Sequence, residues 1–419
     1  MKHSLRAFRH RNYRLFFSGQ SLSVIGSWTQ QIAMSWLVYR LTGSAWLLGV
    51  TAFAGQFAIL LIAPFGGIWA DRLDRRKLLI VTQGLAMVQA IALAALTYAG
   101  LVEVWHVIVM AMLLGVVIAF DTPVRQSFTS EMVPSKQDLP SAIAFNAAMQ
   151  NGGRMIGPTI AGILLTISSE AFCFLANGIS KLAVIASLIM IVVAPHVKPL
   201  TKTRMWTSFR EAVVYAWDLV PIRLLLPMVA LLSFMVTPYL TLMPIFAAEI
   251  FTGGADTLGF LISGAGFGGI VGMVYLASRR DVRGLARWIV FASALAGAAI
   301  IGFAYSRLLP LSLVLITLTG FGIIIAANST SQILQTIVAD DKRGRVMSFF
   351  VMAFLGMQPI GSLAAGALAS WIGATHTLAL GGMCTIAGSY VLWRKLPLLR
   401  QHIQPIYTRL GIIPTQSPD

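Results

Sequence analysis

The chain has 419 residues, of which 57% are hydrophobic and only 11% are charged, and its mean hydropathy is +0.79. A soluble domain cannot bury so large an apolar fraction, so the composition indicates an integral membrane protein. The net charge of +16 would favour nucleic acid as a partner only in a soluble basic module, and no segment long enough to form one lacks apolar runs.

Twelve apolar segments are long enough to cross a bilayer, which requires roughly 20 residues per helix. They lie near residues 13–39, 46–70, 78–99, 104–126, 141–167, 171–194, 222–250, 257–278, 286–305, 309–336, 345–371 and 375–394. The basic start resembles a secretion signal, but the first segment is too long for one and carries Gln30 and Gln31. We therefore predict an all-α membrane protein with twelve transmembrane helices, the first of them retained.

The positive charges predict the orientation of these helices. Of the 31 Lys and Arg residues, all except Arg40, Arg154, Lys181 and Arg307 fall on one side of the predicted spans. Loops rich in Lys and Arg remain in the cytoplasm. Both termini are therefore predicted to be cytoplasmic, in a multi-pass protein of the cell (inner) membrane.

The longest polar interruption divides the chain into two halves of six helices. The predicted parts are an N-terminal half at 1–195, a cytoplasmic linker at 196–220, a C-terminal half at 221–396 and a cytoplasmic tail at 397–419. Three segments recur in the same order in the second half: 43–49 at 253–259, 121–125 at 328–332 and 156–164 at 360–368. Their shared order indicates a parallel internal repeat, as in many transporters.

The loop after the second predicted span carries Gly67, Asp71, Arg72, Asp74, Arg75 and Arg76. It resembles the Gly-x-x-x-Asp-Arg-x-Gly-Arg-Lys/Arg signature of the major facilitator superfamily, with Asp74 in place of a glycine that forms a tight turn. The resemblance implies the major facilitator fold. It also implies a cytoplasmic gate of Gly67, Asp71, Arg72, Arg75 and Arg76, in which Asp71 faces a helix dipole and the arginines latch the closed state. The simpler interpretation is a positively charged cytoplasmic loop.

The fifth predicted span carries Gly153, Gly157, Pro158 and Gly162. It resembles the antiporter signature Gly-x-x-x-Gly-Pro-x-x-Gly-Gly of the same superfamily, with Ala161 replacing one glycine. The resemblance implies export, and these four residues are predicted to form a hinge because small residues allow close helix approach and proline bends a helix. Ordinary small-residue packing is the alternative.

The segment Phe120–Ser127 extends the resemblance to siderophore exporters, such as enterobactin exporters, and to macrolide efflux proteins. The function implied is a proton-coupled secondary transporter that exports an amphipathic organic molecule, a siderophore or a drug, by alternating access. Its partners would be that small molecule, protons and the lipid bilayer, and it would act as a monomer. A lysophospholipid flippase and a nickel or cobalt exporter share the fold and are alternatives.

Ionisable residues at membrane depth are costly and therefore functional candidates. Asp121 is the only one of the 15 acidic residues predicted to lie within a span. Its expected partners are Arg125, one helical turn onward, and Arg154 in the fifth span. We predict these three as proton-coupling residues; a structural ion pair is the alternative.

Polar and aromatic residues at mid-depth predict the substrate cavity: Trp28, Gln30, Gln31, Gln150, Asn151 and Lys181. The amides could instead form hydrogen bonds between helices. Lys181 could attract an anionic substrate or extend its side chain towards the membrane surface.

Motifs of other functional classes are missing. The six His are scattered and no HExxH, GxSxG or Walker-type sequence occurs, so we predict neither an enzyme nor a nucleotide-driven pump, and no catalytic residue, cofactor or metal site. The tail contains only His402, which disfavours metal export. Cys173 and Cys384 lie in apolar runs and are predicted to be packing residues.

Overall fold

The computed structural model describes residues 6–72, 74–133, 135, 137–192, 219–279 and 282–409, and for residues 60–72, 340 and 341 it describes only the backbone. Except for its last two residues, the predicted linker at 196–220 lies outside this part of the chain. The described residues form α-helices and no strand, which confirms the all-α prediction.

Fourteen α-helices follow a short 3-10 turn at Arg6–Arg9 in the described chain. They are α1 (Arg11–Thr42), α2 (Ala45–Arg72), α3 (Arg75–Tyr98), α4 (Val104–Met132), α5 (Leu139–Ile167), α6 (Glu170–Met190), α7 (Val220–Met235), α8 (Tyr239–Ile245), α9 (Ala255–Ser278), α10 (Leu285–Tyr305), α11 (Leu309–Ile337), α12 (Asp340–Val351), α13 (Met357–Arg394) and α14 (Leu396–Arg409). Short π-helical turns at Phe246–Ile250 and Met352–Gly356 continue α8 and lead into α13.

Eight helical segments of the described chain are long and apolar enough to cross a membrane. Each of the twelve predicted spans coincides with a helix or a run of helices. However, α1, α2 and α5 are not among these eight segments, and the last one combines two predicted spans in residues 342–394. A multi-pass membrane protein is therefore supported, and the number twelve remains a prediction.

Large apolar and aromatic side chains cover the outside of the helices. Tyr98 and Trp371 are 89% and 88% exposed, and Trp105 and Tyr305 are also exposed. In the predicted topology these four residues lie near the ends of spans, on the side opposite the basic loops. Aromatic side chains at this level are typical of the interface between a bilayer and water, so the surface suits a lipid environment.

Gly373 interrupts α13 between the last two predicted spans. Its φ of 84° lies in the left-handed region, where a residue with a side chain would be strained. The predicted break between residues 371 and 375 therefore corresponds to a turn that depends on glycine.

The chain divides into two compact units. The first comprises Met1–Leu200 with Thr241–Gly266, and the second comprises Thr201–Leu240 with Phe267–Asp419. The segment 241–266 therefore packs with helices that lie much earlier in the sequence. The predicted halves follow the order of the chain, and that division remains a prediction.

Within the first unit, α1, α3, α4 and α6 pack around an apolar cluster. Its buried members include Phe16, Leu79, Phe128 and Val184. On each of these four helices, a residue of the polar site lies within two turns of a cluster member. The cluster therefore lies directly beside the polar site described below.

Within the second unit, α10 packs against α11 and α13, and α7 packs against α13. Close approach depends on small residues: a Cβ at Gly382 would meet the backbone of Gly297 at 2.5 Å. This packing by small residues is typical of membrane helices.

Candidate functional site

A buried carboxylate lies where α3 meets α4. Asp121 is 5% exposed, and its Oδ1 accepts hydrogen bonds from Thr82 Oγ1 at 3.1 Å and from Gln83 Nε2 at 2.7 Å. Its Oδ2 lies 3.5 Å from Arg125 Nε, one helical turn onward. The predicted Asp121–Arg125 pair is therefore present, with two further polar contacts from α3.

A buried lysine completes this site from α6. Lys181 is 5% exposed, and its Nζ donates hydrogen bonds to Ser23 Oγ at 2.8 Å and Ser27 Oγ at 2.7 Å, both on α1. The charges of Asp121 and Arg125 act on it. In this conformation the side chain lies inside the helix bundle and does not extend to the membrane surface. We call the following residues the charged cluster: Ser23, Ser27, Thr82, Gln83, Asp121, Arg125 and Lys181.

Three buried side-chain amides form a second polar group, which we call the amide cluster: Gln30, Gln89 and Asn177. Gln30 is fully buried; its Nε2 donates to Gln89 Oε1 at 2.9 Å, and its Oε1 accepts from Asn177 Nδ2 at 2.6 Å. Gln89 Nε2 in turn donates to the Met110 carbonyl at 3.2 Å. The amide cluster thus joins α1, α3, α4 and α6, and Gln30 makes the interhelical hydrogen bonds that the sequence left as an alternative.

Several members of these clusters were not predicted from the sequence, namely Ser23, Ser27, Thr82, Gln83 and Gln89. One signal for the serines is visible along α1, where polar residues recur at a helical spacing: Gln20, Ser23, Ser27 and Gln30. Such a stripe in an apolar helix marks a face that contacts other polar groups.

Arg154 lies on an aromatic ring of α1. Its guanidinium carbon is 5.8 Å from the centroid of the Trp28 ring, a distance that fits a cation–π contact. No ion pair joins Arg154 to Asp121, although both side chains belong to the described part of the chain. The structure therefore brings Arg154 together with Trp28, a predicted cavity residue.

The remaining predicted cavity residues are not part of either cluster. Gln31 is exposed, whereas Gln150 and Asn151 are half-buried. Asn151 Nδ2 donates to the carbonyl of Ala147 on its own helix at 2.7 Å. Their contact with substrate remains a prediction.

The predicted hinge of α5 is packed closely on both sides. A Cβ at Gly157 would collide with Trp28 of α1, and a Cβ at Gly162 would meet the backbone of Asp256 in α9 at 3.1 Å. Thr159 Oγ1 and Ser263 Oγ form a hydrogen bond of 2.7 Å in the same contact. Gly153 faces Val24, and the carbonyl of Pro158 approaches Gly259. Close helix approach is therefore present, and hinge motion remains a prediction.

The predicted cytoplasmic gate is described only in part. Gly67, Asp71 and Arg72 lie in α2, but their side chains lie outside the described residues. Arg75 of α3 forms an ion pair with Glu131 of α4.

Arg76, the next residue of α3, donates to the Leu188 and Ile189 carbonyls at the end of α6, at 2.6 and 2.5 Å. Within the first unit, Arg75 and Arg76 thus tie three helices together. Asp74 Oδ1 accepts from the Lys77 backbone N–H at 3.1 Å, so the residue that departs from the signature caps α3.

Comparisons with known proteins place the whole chain among transporters. A sequence model of the family described as transmembrane secretion effector matches residues 2–405. The staphyloferrin A transporter of Staphylococcus aureus is 28% identical over 394 residues, which cover 92% of this chain and 97% of the relative. The multidrug efflux pump Tap of Mycolicibacterium fortuitum is 26% identical over 388 residues, covering 88% and 92%. These matches confirm the predicted resemblance and the prediction of a transporter rather than an enzyme.

Solved structures agree on the fold. A crystal structure of a peptide transporter POT superposes with a TM-score of 0.75 at 12% identity and covers 93% of this chain and 95% of that one. At this identity the likeness concerns the fold alone. The predicted transporter fold is thereby supported, independently of substrate.

Proposed function

Because the chain belongs to the transmembrane secretion effector family, we propose that it is a proton-coupled exporter of an amphipathic organic molecule, a siderophore or a drug, in the cell (inner) membrane. The observation that carries the proposal is the charged cluster, in which the ionisable side chains of Asp121 and Lys181 are buried between apolar helices. Buried ionisable groups in membrane helices are costly and mark ion or substrate pathways. The names of the two relatives, a siderophore transporter and a multidrug efflux pump, support the substrate class.

The proposed topology has twelve crossings and cytoplasmic termini, with halves at 1–195 and 221–396. The distribution of Lys and Arg along the chain supports this orientation. An even number of crossings follows from termini on one side. The transporter is proposed to act as a monomer.

In the proposed alternating access, contacts at the two ends of the first unit open and close in turn. Towards the cytoplasm, the gate would comprise Gly67, Asp71, Arg72, Arg75 and Arg76. Arg75 and Arg76 support it because they bind α3 to α4 and α6, so these helices would move together. At the opposite end, Tyr39 donates a hydrogen bond to Glu249 Oε1 at 2.8 Å, which joins α1 to the π-helical turn after α8.

The α5 segment between these ends is the proposed hinge. Its glycines pack on α1 and on α9, so a small rotation of α5 would change both contacts together. Pro158 removes one backbone hydrogen bond from the helix and permits such a bend.

Proton coupling is assigned to the charged cluster around Asp121 and Arg125. Energy from a proton gradient reaches a carrier only through groups that exchange or sense protons within the membrane. Trp28 of α1 and Arg154 of α5 form a half-buried cation–π pair. This pair is proposed to contact the substrate.

The test uses everted membrane vesicles with an imposed proton gradient. Uptake of ethidium and of labelled staphyloferrin A would be compared for wild type and Asp121→Asn, with and without an uncoupler. We expect uptake of at least one probe to stop with the uncoupler and in the variant. Uptake that continues without a gradient would reject proton coupling. Uptake by Asp121→Asn at the wild-type rate would show that Asp121 has a structural role only.

A further inference from the structure

The charged cluster contains two cations and one anion. Asp121 pairs with Arg125, whereas Lys181 Nζ is bonded only to the hydroxyl oxygens of Ser23 and Ser27. In the described part of the chain, no carboxylate oxygen lies within ion-pair distance of Lys181. A permanent ammonium at this depth is costly in free energy, which suggests that its charge changes during transport.

Two of the three side chains that contact Asp121 are donors only. Gln83 Nε2 and Arg125 Nε are donors and cannot accept a hydrogen bond. A proton on Asp121 would weaken these charge-assisted contacts, which are among the stronger hydrogen bonds in proteins. The contacts from Gln83 and Arg125 therefore suit Asp121 as a counter-charge, and the Thr82 hydroxyl can pair with it as well.

The surroundings of Lys181 suit both of its protonation states. A serine hydroxyl accepts a hydrogen bond from an ammonium and equally donates one to the lone pair of a neutral amine. Ser23 can turn its hydroxyl hydrogen towards a neutral amine without moving α1, whereas Ser27 donates its own to the Ser23 carbonyl at 2.8 Å. Lys181 Nζ thus keeps a hydrogen-bond partner in Ser23 whether it carries the additional proton or not.

The charged groups that act on Lys181 both lie on α4. Asp121 on α4 attracts the ammonium and Arg125 on the same helix repels it. On α5, which packs on α1 and α6, the charged residue Arg154 lies on the Trp28 ring. Helix α3 brings the uncharged Thr82 and Gln83, both bonded to Asp121, and α1 brings the two serines. A shift of α1 or α4 relative to α6 would therefore change how strongly Lys181 holds its proton.

In the predicted internal repeat, these charges occur in one half only. At the offsets of the three recurring segments, the equivalent positions are all uncharged: Ser23 corresponds to Ser233, Ser27 to Thr237, Gln83 to Ser293, Asp121 to Asn328, Arg125 to Gln332 and Lys181 to Thr385. Their hydrogen bonds are also different. Asn328 and Thr385 donate to backbone carbonyls of their own helices. Six helices of this kind can therefore pack without a charged cluster. This favours a role of the charged cluster in ion exchange over a role in packing.

We propose that Lys181, held by Ser23 and Ser27, is the group that takes up and releases the transported proton, with Asp121 as its fixed counter-charge. In one orientation Nζ accepts a proton from water on the outer side. In the other orientation the N–H bond breaks, the electron pair stays on Nζ, and the proton passes to water on the cytoplasmic side. This inference rests on the proposed function and identifies the residue that couples it.

Two variants of Lys181 test whether transport requires its charge to change or only requires a positive charge to be present. Lys181→Met is permanently neutral with a similar length, and Lys181→Arg is permanently charged. In everted vesicles we expect both to lose gradient-driven uptake of ethidium and staphyloferrin A. Both should retain exchange of labelled for unlabelled probe without a gradient, because exchange requires alternating access but no net proton transfer. Lys395→Met, an exposed substitution of the same kind, should behave as wild type.

Each other outcome has a distinct meaning. If Lys181→Arg keeps gradient-driven uptake while Lys181→Met raises the KM, Lys181 anchors an anionic substrate and the proposal is overturned. Uptake by both variants at the wild-type level also overturns it. If wild type itself shows no gradient-driven uptake, the proposed function fails first and the inference fails with it. If either Lys181 variant folds poorly in detergent, the double variant Ser23→Ala, Ser27→Ala replaces it, because it keeps the lysine and removes its hydrogen-bond partners. If uptake by this double variant depends on pH in the same way as uptake by wild type, the result counts against the proposal.

Discussion

Arg40, near the end of α1, binds Glu170 at the start of α6 through two hydrogen bonds, from Nε to Oε1 at 2.7 Å and from Nη2 to Oε2 at 3.2 Å. The carboxylate side chain is 9% exposed, whereas that of the arginine is 52% exposed. Glu170 also lies in the first turn of α6, where a negative charge interacts favourably with the helix dipole. The contact therefore fixes α1 to α6 at the end opposite the predicted basic loops.

The two halves of this ion pair should differ in importance. Arg40→Ala leaves a buried carboxylate without its partner and should lower the free energy of unfolding by about 1–3 kcal/mol. Glu170→Gln leaves a half-exposed arginine that water can solvate, so it should cost less, roughly 1 kcal/mol. Thermal unfolding in detergent measures both. Arg307→Ala, which removes an exposed arginine predicted to lie on the same side, is the control, and equal effects of Arg40→Ala and Arg307→Ala would contradict the prediction.

The cap of α3 gives a second prediction. Asp74→Ala removes the acceptor of the Lys77 backbone N–H and should lower the free energy of unfolding by about 1 kcal/mol, whereas Asp74→Gly should cost only a few tenths. Glycine is also the residue of the superfamily signature at this position. Thermal midpoints of the two variants provide the measurement. A larger loss for glycine than for alanine would mean that the carboxylate does not act as a cap.

The sequence was sufficient for the helices and for one ion pair, but not for the pairing of polar groups between helices. Asp121 and Arg125 are four residues apart, so helical geometry alone places them on one face. Arg154 was expected beside Asp121 because both lie on neighbouring spans, yet it lies on Trp28. Which side chains meet across two helices depends on helix rotation and register. Hydropathy fixes the position of a span along the chain and leaves its rotation undetermined.

Lys181 illustrates the same limit. Its two possible roles in the sequence, anion attraction or extension to the membrane surface, depend on which way α6 is turned. The structure turns it towards α1, where two serines bind it. Serines are common in membrane helices and therefore weak signals individually; only their spacing with Gln20 and Gln30 distinguishes this face of α1.

The contact between α5 and α1 predicts a difference between two neighbouring glycines. A Cβ at Gly157 would overlap the Cβ of Trp28, whereas a Cβ at Gly152 would meet no atom within 4 Å. Gly157→Ala should therefore lower the free energy of unfolding by about 1–3 kcal/mol through overpacking. Gly152→Ala should be neutral or slightly stabilising because alanine is the better helix former. Equal thermal midpoints for the two variants would show that α5 and α1 can separate without cost.

Gln30 and Gln31 offer a matched pair that separates a structural role from substrate contact. Gln30 is fully buried and bonded to Gln89 and Asn177, whereas its neighbour Gln31 is exposed. Gln30→Ala leaves two buried polar atoms, Gln89 Oε1 and Asn177 Nδ2, without their partner, so the free energy of unfolding should fall by on the order of 2 kcal/mol or more.

Gln31→Ala should change stability by less than about 0.5 kcal/mol, since exposed substitutions seldom do more. The measurements are the thermal midpoint in detergent and the KM for ethidium uptake in everted vesicles. For Gln30→Ala we expect a lower midpoint, and for Gln31→Ala a normal midpoint with a raised KM if the predicted substrate contact exists. A normal midpoint with a raised KM for Gln30→Ala would instead assign Gln30 to the substrate cavity and would make the amide cluster dispensable for packing.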